Sequence, residues 1–366
     1  MSEEPEVVYE VRGKIGVIKL NRPKALNALT HSMCVSLHKK LDAWKIDDAI
    51  DAVIIMSKGT KAFCAGGDVI ALYDAGSAWK SQRAPIHGWR NFFKHEYRLN
   101  STIHHFPKPY IAIMDGITMG GGVGVSIHGS HSIATENTML AMPETALGLF
   151  PDVGGGYFLS RLPGHTGMYL GLLGERIKAP DCCGLGITDA YIQSEKIDDL
   201  IAKLSTTSGL DNNRVSEIIR CFSSEPGPST IMGKLDEINE VYSLVDVNEI
   251  LKSLKKIGSK WSIKQHESLM KKSPMSLNVT FQQIRRGAFL TFDKNMIMEY
   301  KIVNRIMRGD DFYEGVRAIL IDKDFKPRWS PLTLDNVTPE ETQAHFVSME
   351  ELDLSFDNEN HNYIDD

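Results

Sequence analysis

Short runs of β-branched and apolar residues recur through the first half of the chain. Two of them, VVYEV at 7–11 and GVIKL at 16–20, are separated by Arg12-Gly13-Lys14-Ile15 and so predict a β-hairpin. Further runs predict buried strands at residues 52–56, 110–116, 131–135 and 138–142. We therefore expect a sheet in this half of the protein.

A helical period follows the hairpin. Thr30 has the residue type of an N-cap and precedes residues 31–45, whose apolar positions at helical spacing are Met33, Leu37, Leu41 and Trp44. Strands and helices then alternate to about residue 190. This alternation predicts an α/β layered domain.

The pattern changes after residue 193. From 194 onward, amphipathic stretches punctuated by Ser, Asp and Pro recur, and no strand is predicted. We expect an α/β core over residues 1–193 and a helical region over residues 194–348. Residues 349–366 have low hydrophobicity and no period, and they predict a disordered acidic tail.

The charge is unevenly distributed along the 366 residues. The net charge is -6, but ten Asp and Glu residues and no Lys or Arg lie from Trp329 to the end. Residues 1–328 therefore hold 41 basic and 37 acidic residues, a net of +4. A mildly positive body suits a small anionic ligand and is far too weak for a nucleic-acid surface.

Composition excludes several other classes. No apolar run approaches the roughly 20 residues of a membrane span. The five cysteines show no CxxC pair and no zinc-ligand spacing, which favours a reducing compartment and no metal site. The acidic start, MSEEPEVVYE, is unlike a secretory signal or an Arg-rich transit peptide, so we expect any presequence to be absent or already removed.

Two glycine-rich segments, KAFCAGGDV at 61–69 and DGITMGGGVG at 115–124, each follow a β-rich run. The second continues into VGVSIHG, which has a helical pattern and places the glycine triplet at a helix N-terminus. Two backbone N–H groups converging from such loops make an oxyanion hole. Neither segment matches a dinucleotide or P-loop motif. The alternative to an oxyanion hole is that these glycines only make tight turns and close packing.

Two carboxylates stand in the apolar segment AMPETALGLFPDVGG at 141–155. Apolar surroundings push the pKa values of Glu144 and Asp152 upward, which suits an acid, a base or a nucleophile. The alternative is that Glu144 caps a helix after Pro143, or that Asp152 caps the turn before Gly154.

Four motifs in one order resemble the crotonase (enoyl-CoA hydratase/isomerase) superfamily: NRPKALNAL, AFCAGGD, GITMGGGVG and PETALGLFPDVGG. SPMSLNVTFQQI at 273–284 and the segment at 298–329 resemble the helical region of its 3-hydroxyisobutyryl-CoA hydrolase branch, which generic crotonases lack. The resemblance covers about residues 7–346. It implies an α/β fold, a crotonase-type spiral of ββα repeats followed by a helical C-terminal region.

The resemblance also assigns catalytic positions. It implies that the backbone N–H groups of Gly67 and Gly121 form the oxyanion hole. Glu144 matches the catalytic glutamate and Asp152 its partner aspartate, and Gly121, Glu144 and Asp152 are also expected to contact the substrate. Whether Glu144 attacks the thioester itself or activates a water stays open.

Substrate-binding positions follow from the same resemblance. Glu96 matches a glutamate that contacts the substrate in the hydrolases. Ala65 and Asp68 match a segment that holds the adenine and phosphate end of coenzyme A, and Lys24 is a phosphate candidate. A solvated lysine is an equal alternative for Lys24.

One departure from the superfamily pattern separates the possible activities. Hydratases carry a second glutamate two residues after the glycine triplet, where this chain has Gly124, and a small residue where it has Asp152. We therefore expect hydrolysis of a short 3-hydroxyacyl-CoA thioester, as in valine catabolism. The alternatives are a hydratase or isomerase, and a non-catalytic subunit of a mitochondrial ribosome.

The expected accompaniments are few. No cofactor is implied, because coenzyme A is part of the substrate and acyl transfer needs only a nucleophile and an oxyanion hole. An acyl-CoA is the expected partner, with no nucleic acid and no membrane, and a homo-oligomer is allowed. The resemblance implies the mitochondrial matrix for a eukaryotic protein and the cytoplasm otherwise.

Overall fold

The structure, a computed structural model, describes residues 4–59, 61–349 and 354–356. The predicted tail at 349–366 lies almost wholly outside the described residues. The strands are β1 (Val7–Arg12), β2 (Ile15–Leu20), β3 (Ala52–Ser57), β4 (Ala62–Cys64), β5 (Tyr110–Met114), β6 (Ile117–Met119), β7 (His131–Ala134), β8 (Met139–Ala141), β9 (Ile177–Lys178) and β10 (Ala190–Tyr191).

Sixteen α-helices occur in the described residues, together with short 3-10 turns. The first nine are α1 (His31–Lys45), α2 (Val69–Lys80), α3 (His87–His104), α4 (Gly121–Gly124), α5 (Gly155–Leu159), α6 (Thr166–Leu173), α7 (Ala179–Gly184), α8 (Ile197–Ser205) and α9 (Asn212–Phe222). The others are α10 (Leu235–Tyr242), α11 (Val247–Ile257), α12 (Lys260–Leu269), α13 (Pro274–Gly287), α14 (Phe292–Ile306), α15 (Asp311–Val316) and α16 (Pro339–Ala344).

The strands form two sheets. The larger sheet has the order β1-β2-β3-β5-β7-β10, and the smaller has the order β4-β6-β8-β9. The predicted hairpin is confirmed: β1 and β2 are antiparallel, with Arg12 opposite Ile15. From β2 to β10 the larger sheet is parallel.

The order of elements along the chain explains the two sheets. Three successive strand pairs, β3–β4, β5–β6 and β7–β8, each place their first strand in the larger sheet and their second in the smaller one. Helices α2, α4 and α5 follow the three pairs in turn. This is a repeated ββα unit, and the predicted α/β class is confirmed.

The predicted helix at 31–45 is confirmed as α1. The Thr30 hydroxyl accepts a 3.1 Å hydrogen bond from the Met33 N–H, as an N-cap residue does. Met33, Leu37, Leu41 and Trp44 are all buried. The hydrophobic period thus identified both the start of this helix and its packed face.

Contact density divides the chain into two compact units, each discontinuous in sequence. The sheet unit contains the chain up to Gly67, then Arg98–Ala141 and Arg176–Gly233. The helical unit contains Asp68–Tyr97, Met142–Glu175 and the chain from Lys234 onward. The units cut across the expected boundary at 193, because parts of the first half group with the later helices.

The core of the sheet unit forms between the larger sheet and two helices. Apolar side chains of β2, β3, β5 and β7 pack against the inward faces of α8 and α9. The strands of a parallel sheet are buried on both faces, so they read as continuous apolar runs, as AVIIMS in β3 does. Such runs made the strands easy to find from the sequence.

The helical unit is built around α13 and α14. Helix α13 packs against α5 and α6, and α14 packs against α5. As predicted, the described residues after 193 contain no strand. Among the described residues, no helix has both the length and the apolar character needed to cross a bilayer.

Candidate active site

The middle of α3 places two polar side chains in the interior of the helical unit. Trp89, Phe93, Glu96 and Tyr97 recur at three- and four-residue spacing, which puts them on one buried face of the helix. Glu96 is 2 % exposed and Tyr97 fully buried. One Glu96 carboxylate oxygen, Oε1, has no hydrogen-bond partner in the described residues.

Glu144 begins a 3-10 turn, Glu144–Leu147, directly after Pro143. Its side chain is buried, and Oε2 has no hydrogen-bond partner in the described part of the chain. Burial raises the pKa of Glu144 well above its usual range, and the charge of Asp152 adds to the rise. The backbone N–H of Glu144 and the charge of Lys272 oppose it.

Asp152 lies in the loop between that 3-10 turn and α5. The hydroxyl of Tyr97 donates a 2.9 Å hydrogen bond to Asp152 Oδ2. Burial raises the pKa of Asp152 to about 7, while the Tyr97 hydroxyl and the Asp152 backbone N–H pull it down. A carboxyl with this pKa exchanges protons readily near neutral pH.

Glu96, Glu144 and Asp152 form a buried carboxyl cluster. Burial raises the pKa of Glu96, and the charges of Asp152 and then Glu144 raise it further. Because like charges in a low-dielectric interior cannot all ionise together, the three groups retain protons that isolated carboxyls would lose. The cluster can therefore offer a base and an acid at the same pH.

Lys272 is a basic residue whose charge acts on Glu144 of this cluster. Burial lowers the pKa of Lys272 to about 8, and the negative charges of Glu175 and Glu144 oppose the fall. The Ser273 N–H donates a 3.2 Å hydrogen bond to the Thr145 carbonyl. This bond fixes the backbone beside Lys272 to the 3-10 turn that carries Glu144.

The two glycine-rich segments meet within the sheet unit. A Cβ placed on Gly122 would lie 2.1 Å from the Cys64 carbonyl oxygen, and one on Gly66 would lie 3.9 Å from the Gly121 nitrogen. At position 122 only glycine allows the two backbones to approach so closely, whereas the 3.9 Å at Gly66 is ordinary van der Waals spacing. Gly121 is the first residue of α4, so its N–H has no acceptor within the helix.

The helix at the glycine triplet is shorter than the sequence predicts. Helix α4 ends at Gly124 instead of continuing through VGVSIHG. The Ser126 hydroxyl donates to the Gly122 carbonyl at 2.7 Å, and the Tyr110 hydroxyl donates to the Val125 carbonyl at 2.9 Å. These side chains occupy carbonyls that further helical N–H groups would use.

The predicted coenzyme A segments are also neighbours in the sheet unit. The Ala65 N–H donates to the Leu26 carbonyl at 3.0 Å, which joins the NRPKALNAL loop to the AFCAGGD segment. Lys24 is exposed in the 3-10 turn Pro23–Ala25. Asp68 belongs to the helical unit and caps α2 by accepting a 3.3 Å bond from the Ala71 N–H.

The sequence analysis missed three residues of this site: Tyr97, Lys272 and Glu299. Glu299 of α14 is fully buried and accepts hydrogen bonds from the Gly154 and Gly156 N–H groups. Burial raises the pKa of Glu299, and these two N–H groups restrain the rise. A signal was present, because a carboxylate stands between the buried positions Met296 and Val303 of an amphipathic helix.

No cluster of three or more His, Cys, Asp or Glu side chains in the described residues has the arrangement of a metal site. The buried carboxyls are instead bonded to, or influenced by, neighbouring protein groups. The arrangement fits proton transfer and nucleophilic attack by the carboxyls themselves.

Comparison with known proteins identifies the class. The enoyl-CoA hydratase/isomerase family model matches residues 15–346, and the chain belongs to this family. Two solved structures share the fold. A carnitinyl-CoA dehydratase from Mycobacterium thermoresistibile has a TM-score of 0.89 and 35% identity, and the match covers 97% of this chain and 100% of that one. An enoyl-CoA hydratase from Rhodobacter sphaeroides has a TM-score of 0.87 and 33% identity, and the match covers 96% of this chain and 100% of that one.

Within the family, the chain is similar to 3-hydroxyisobutyryl-CoA hydrolases. The mitochondrial protein of that name from Danio rerio is 45% identical over 95% of this chain and 91% of its own length. The human protein of the same name is 42% identical over 96% of this chain and 91% of its own length. The predicted resemblance is thereby confirmed along nearly the whole chain.

Proposed function

We propose that this protein hydrolyses a short 3-hydroxyacyl-CoA thioester, with 3-hydroxyisobutyryl-CoA as the substrate and 3-hydroxyisobutyrate and coenzyme A as products. The observation that carries the proposal is the pairing of Glu144 with Asp152. Both are buried, and the pKa of each is raised, so the pair can hold one proton at neutral pH. The hydrolases named above support the choice of substrate.

The reaction needs Glu144 ionised and Asp152 protonated, so the proton that the buried pair holds must lie on Asp152 when the substrate is bound. Ionised Glu144 either takes a proton from a water that attacks the thioester carbon, or attacks that carbon itself to give an anhydride. The carbon–sulfur bond then breaks, and protonated Asp152 gives its proton to the departing coenzyme A thiolate. In the first route, the proton on Glu144 then returns to Asp152. In the second route, water cleaves the anhydride, gives a proton to Asp152 and restores ionised Glu144.

The proposed oxyanion hole consists of the N–H groups of Gly67 and Gly121. The family resemblance assigns this role, and two features support it. Gly121 stands at the start of α4 with its N–H unused by the helix, and the two glycine segments are close-packed neighbours. Donors fixed in advance around a developing negative charge are worth about 3 kcal/mol each in acyl transfer.

Glu96 is proposed to select the substrate by its hydroxyl group. Its Oε1 is buried without a hydrogen-bond partner in the described residues, an arrangement that is costly unless a ligand supplies a donor. The hydroxyl of a 3-hydroxyacyl group is such a donor. A site built to bond a hydroxyl can reject the analogue without it by up to ~10⁴-fold, whereas one methylene is worth about 10–200-fold.

The test is kcat/KM, measured as free thiol release, for 3-hydroxyisobutyryl-CoA, 3-hydroxypropionyl-CoA and isobutyryl-CoA. We expect loss of the hydroxyl to cost more than loss of the methyl group. Glu96→Ala should remove most of that preference, and Glu240→Ala, a change at an exposed position, should leave it intact. Equal hydrolysis of isobutyryl-CoA and its hydroxylated counterpart would contradict the proposal.

Hydration of an enoyl-CoA is the second candidate function, because the two similar solved structures are of proteins named as a dehydratase and a hydratase. Gly124 stands where hydratases have their second catalytic glutamate, which argues against it. The experiment compares turnover of a 2-enoyl-CoA with thiol release from 3-hydroxyisobutyryl-CoA. Faster hydration than hydrolysis would favour the second function.

The mitochondrial matrix is the proposed location, because the similar hydrolases are named as mitochondrial proteins. The experiment is fractionation of cells that express the full-length protein, followed by protease treatment of intact and swollen mitochondria. Protection until both membranes are opened supports the matrix. Recovery in the cytosolic fraction contradicts it.

A further inference from the structure

The loop that carries Asp152 has an unusual backbone. Val153 has φ 50 and Gly154 has φ 89, so two consecutive residues lie in the left-handed region. Glycine adopts this conformation freely, but a β-branched residue such as valine rarely does. Strain of this kind persists only where surrounding contacts fix the backbone.

Those contacts come from Glu299, which is fully buried in α14. Its Oε2 accepts a 2.8 Å hydrogen bond from the Gly154 N–H, and its Oε1 accepts a 2.9 Å bond from the Gly156 N–H. The Asn295 amide donates to Oε1 at 2.7 Å, and the Gln283 amide donates to it at 2.9 Å. The carboxylate thus receives four N–H donors.

Gln283 connects this network to the other side of Asp152. Its Nε2 also donates a 2.7 Å hydrogen bond to the Pro151 carbonyl. Pro151, Gly154 and Gly156 are therefore tied directly or through one side chain to Glu299. The backbone is fixed both before and after Asp152.

Close packing leaves the loop little freedom to move. A Cβ on Gly156 would lie 2.5 Å from Asn295 Oδ1, and one on Gly287 would lie 2.1 Å from the Gly156 carbonyl oxygen. The first turn of α5 thus rests directly on α13 and α14. A shift of Glu299 or its donors is expected to reach the loop, because closely packed groups transmit strain.

We propose that Glu299 is a positioning residue for Asp152: it holds residues 151–156 in the strained conformation that aims the Asp152 carboxyl. This rests on the proposed function for the role of Asp152 in the reaction. Both oxygens of Glu299 are occupied by protein donors, so it is not itself an acid or base for the substrate. All four partners donate, so the ionised carboxylate, which accepts without donating, is the form that satisfies them all. Burial raises the pKa of Glu299 to about 8, so this form prevails above that pH.

Glu299→Gln is the variant that tests the proposal. An amide keeps the size of the side chain but turns one oxygen into a donor, which opposes an N–H group of the loop. We expect kcat at pH 8 to fall by roughly 10–100-fold, because a catalytic group misplaced by about 1 Å can cost a factor of this size in rate. KM should change by less than about threefold. Glu314→Gln, which loses the ion pair to Arg317 and alters the oxygen that accepts from the Arg328 N–H, should keep kcat within about twofold.

A double-mutant cycle separates positioning from general damage. If Glu299 acts through Asp152, then Glu299→Gln added to Asp152→Asn should lower kcat by less than about threefold further. A further loss as large as in the wild-type background overturns the proposal. So does a Glu299→Gln enzyme whose kcat is unchanged. Should Glu299→Gln not fold, Asn295→Ala replaces it in the cycle, with a smaller fall expected because it removes one donor.

Hydrogen exchange at residues 151–156 tests whether Glu299 fixes this loop, without a measurement of catalytic activity. The Gly154 and Gly156 amides should exchange at least about tenfold faster in the Glu299→Gln variant than in the wild type, and the α1 amides should not change. If the wild-type protein hydrolyses none of the three acyl-CoA substrates, the proposed function fails, and the role of Glu299 in fixing the loop is judged on hydrogen exchange alone. Unchanged exchange at both glycines overturns it in either case.

Discussion

The hydroxyl of Tyr97 donates a 2.9 Å hydrogen bond to Oδ2 of Asp152, across 55 positions of sequence. Both side chains are buried in the helical unit. The bond favours the ionised form of Asp152 and so lowers its pKa against the larger effect of burial. The balance of the two brings this carboxyl close to neutral pH.

Replacing Tyr97 by Phe should raise the pKa of Asp152 further. The ring and its packing remain, but a hydrogen bond to a charged group is lost, which is worth about 1.5–3 kcal/mol. The pH–rate limb that reports Asp152 should move up by roughly one unit or more. Tyr242→Phe is the control, because that buried tyrosine hydroxyl has no partner among the described residues. An unmoved profile in the Tyr97 variant contradicts this assignment.

Glu144→Gln should abolish turnover and leave coenzyme A binding and folding nearly intact. The amide has the same shape but neither attacks a thioester nor takes a proton, so kcat should fall by about 10³-fold or more. Thiol release and calorimetric binding of coenzyme A are the two measurements. Glu267→Gln, at an exposed position of the same unit, is the control. A variant that keeps a tenth of the activity removes Glu144 from the mechanism.

Lys272→Met should make the enzyme require a higher pH. The positive charge of Lys272 lowers the pKa of Glu144, so its removal raises that pKa, and Glu144 must be ionised to act. The acid limb of kcat/KM should move up by roughly one unit. The neighbouring exposed Lys271 provides the matched control, Lys271→Met. A limb that stays in place for Lys272→Met excludes the electrostatic role.

Asp152 should destabilise the fold as the pH rises. Its folded pKa, about 7, lies above its ordinary value of 3.8, so the native state binds its proton more tightly than the unfolded chain. The contribution of Asp152 to the free energy of unfolding is therefore greatest below pH 3.8 and is lost as the pH rises through 7.

Urea unfolding at several pH values checks this for the wild type and Asp152→Asn. Relative to the variant, the free energy of unfolding of the wild type should fall by roughly 4 kcal/mol between pH 4 and pH 8. Asp236→Asn, at an exposed position, should follow the wild type. Parallel curves for wild type and Asp152→Asn would mean that the carboxyl titrates normally in the native protein.

Local patterns made much of the fold predictable. The period of α1, its Thr30 cap and five strands of the larger sheet, β1, β2, β3, β5 and β7, each depend on a few neighbouring residues, and all of these were predicted. The sixth strand, β10, has only two residues and was not predicted. The length of α4 was not predicted either, because the Val125 carbonyl is occupied by the hydroxyl of Tyr110, which belongs to β5. The grouping of Asp68–Tyr97 with the later helices depends on tertiary contacts that no local period encodes.

The site shows the same division. The apolar setting of Glu144 and Asp152 in one segment predicted their burial and raised pKa values. Lys272 and Glu299 escaped notice, because a lone lysine or a carboxylate in an amphipathic helix usually faces solvent. Their importance comes from partners more than a hundred residues away, which a single sequence does not reveal. The roles of Gly67, Lys24 and Ala65 stay predictions.

The bond between Gly154 and Glu299 joins positions that are 145 residues apart. Ribosomes add about 5–20 residues per second, so roughly 7–30 seconds separate the synthesis of these two residues. During that interval a nascent chain already contains Glu96, Glu144 and Asp152 but lacks the carboxylate that fixes the loop. The acid–base geometry therefore cannot be complete until Glu299 has been made, well after the strands of both sheets.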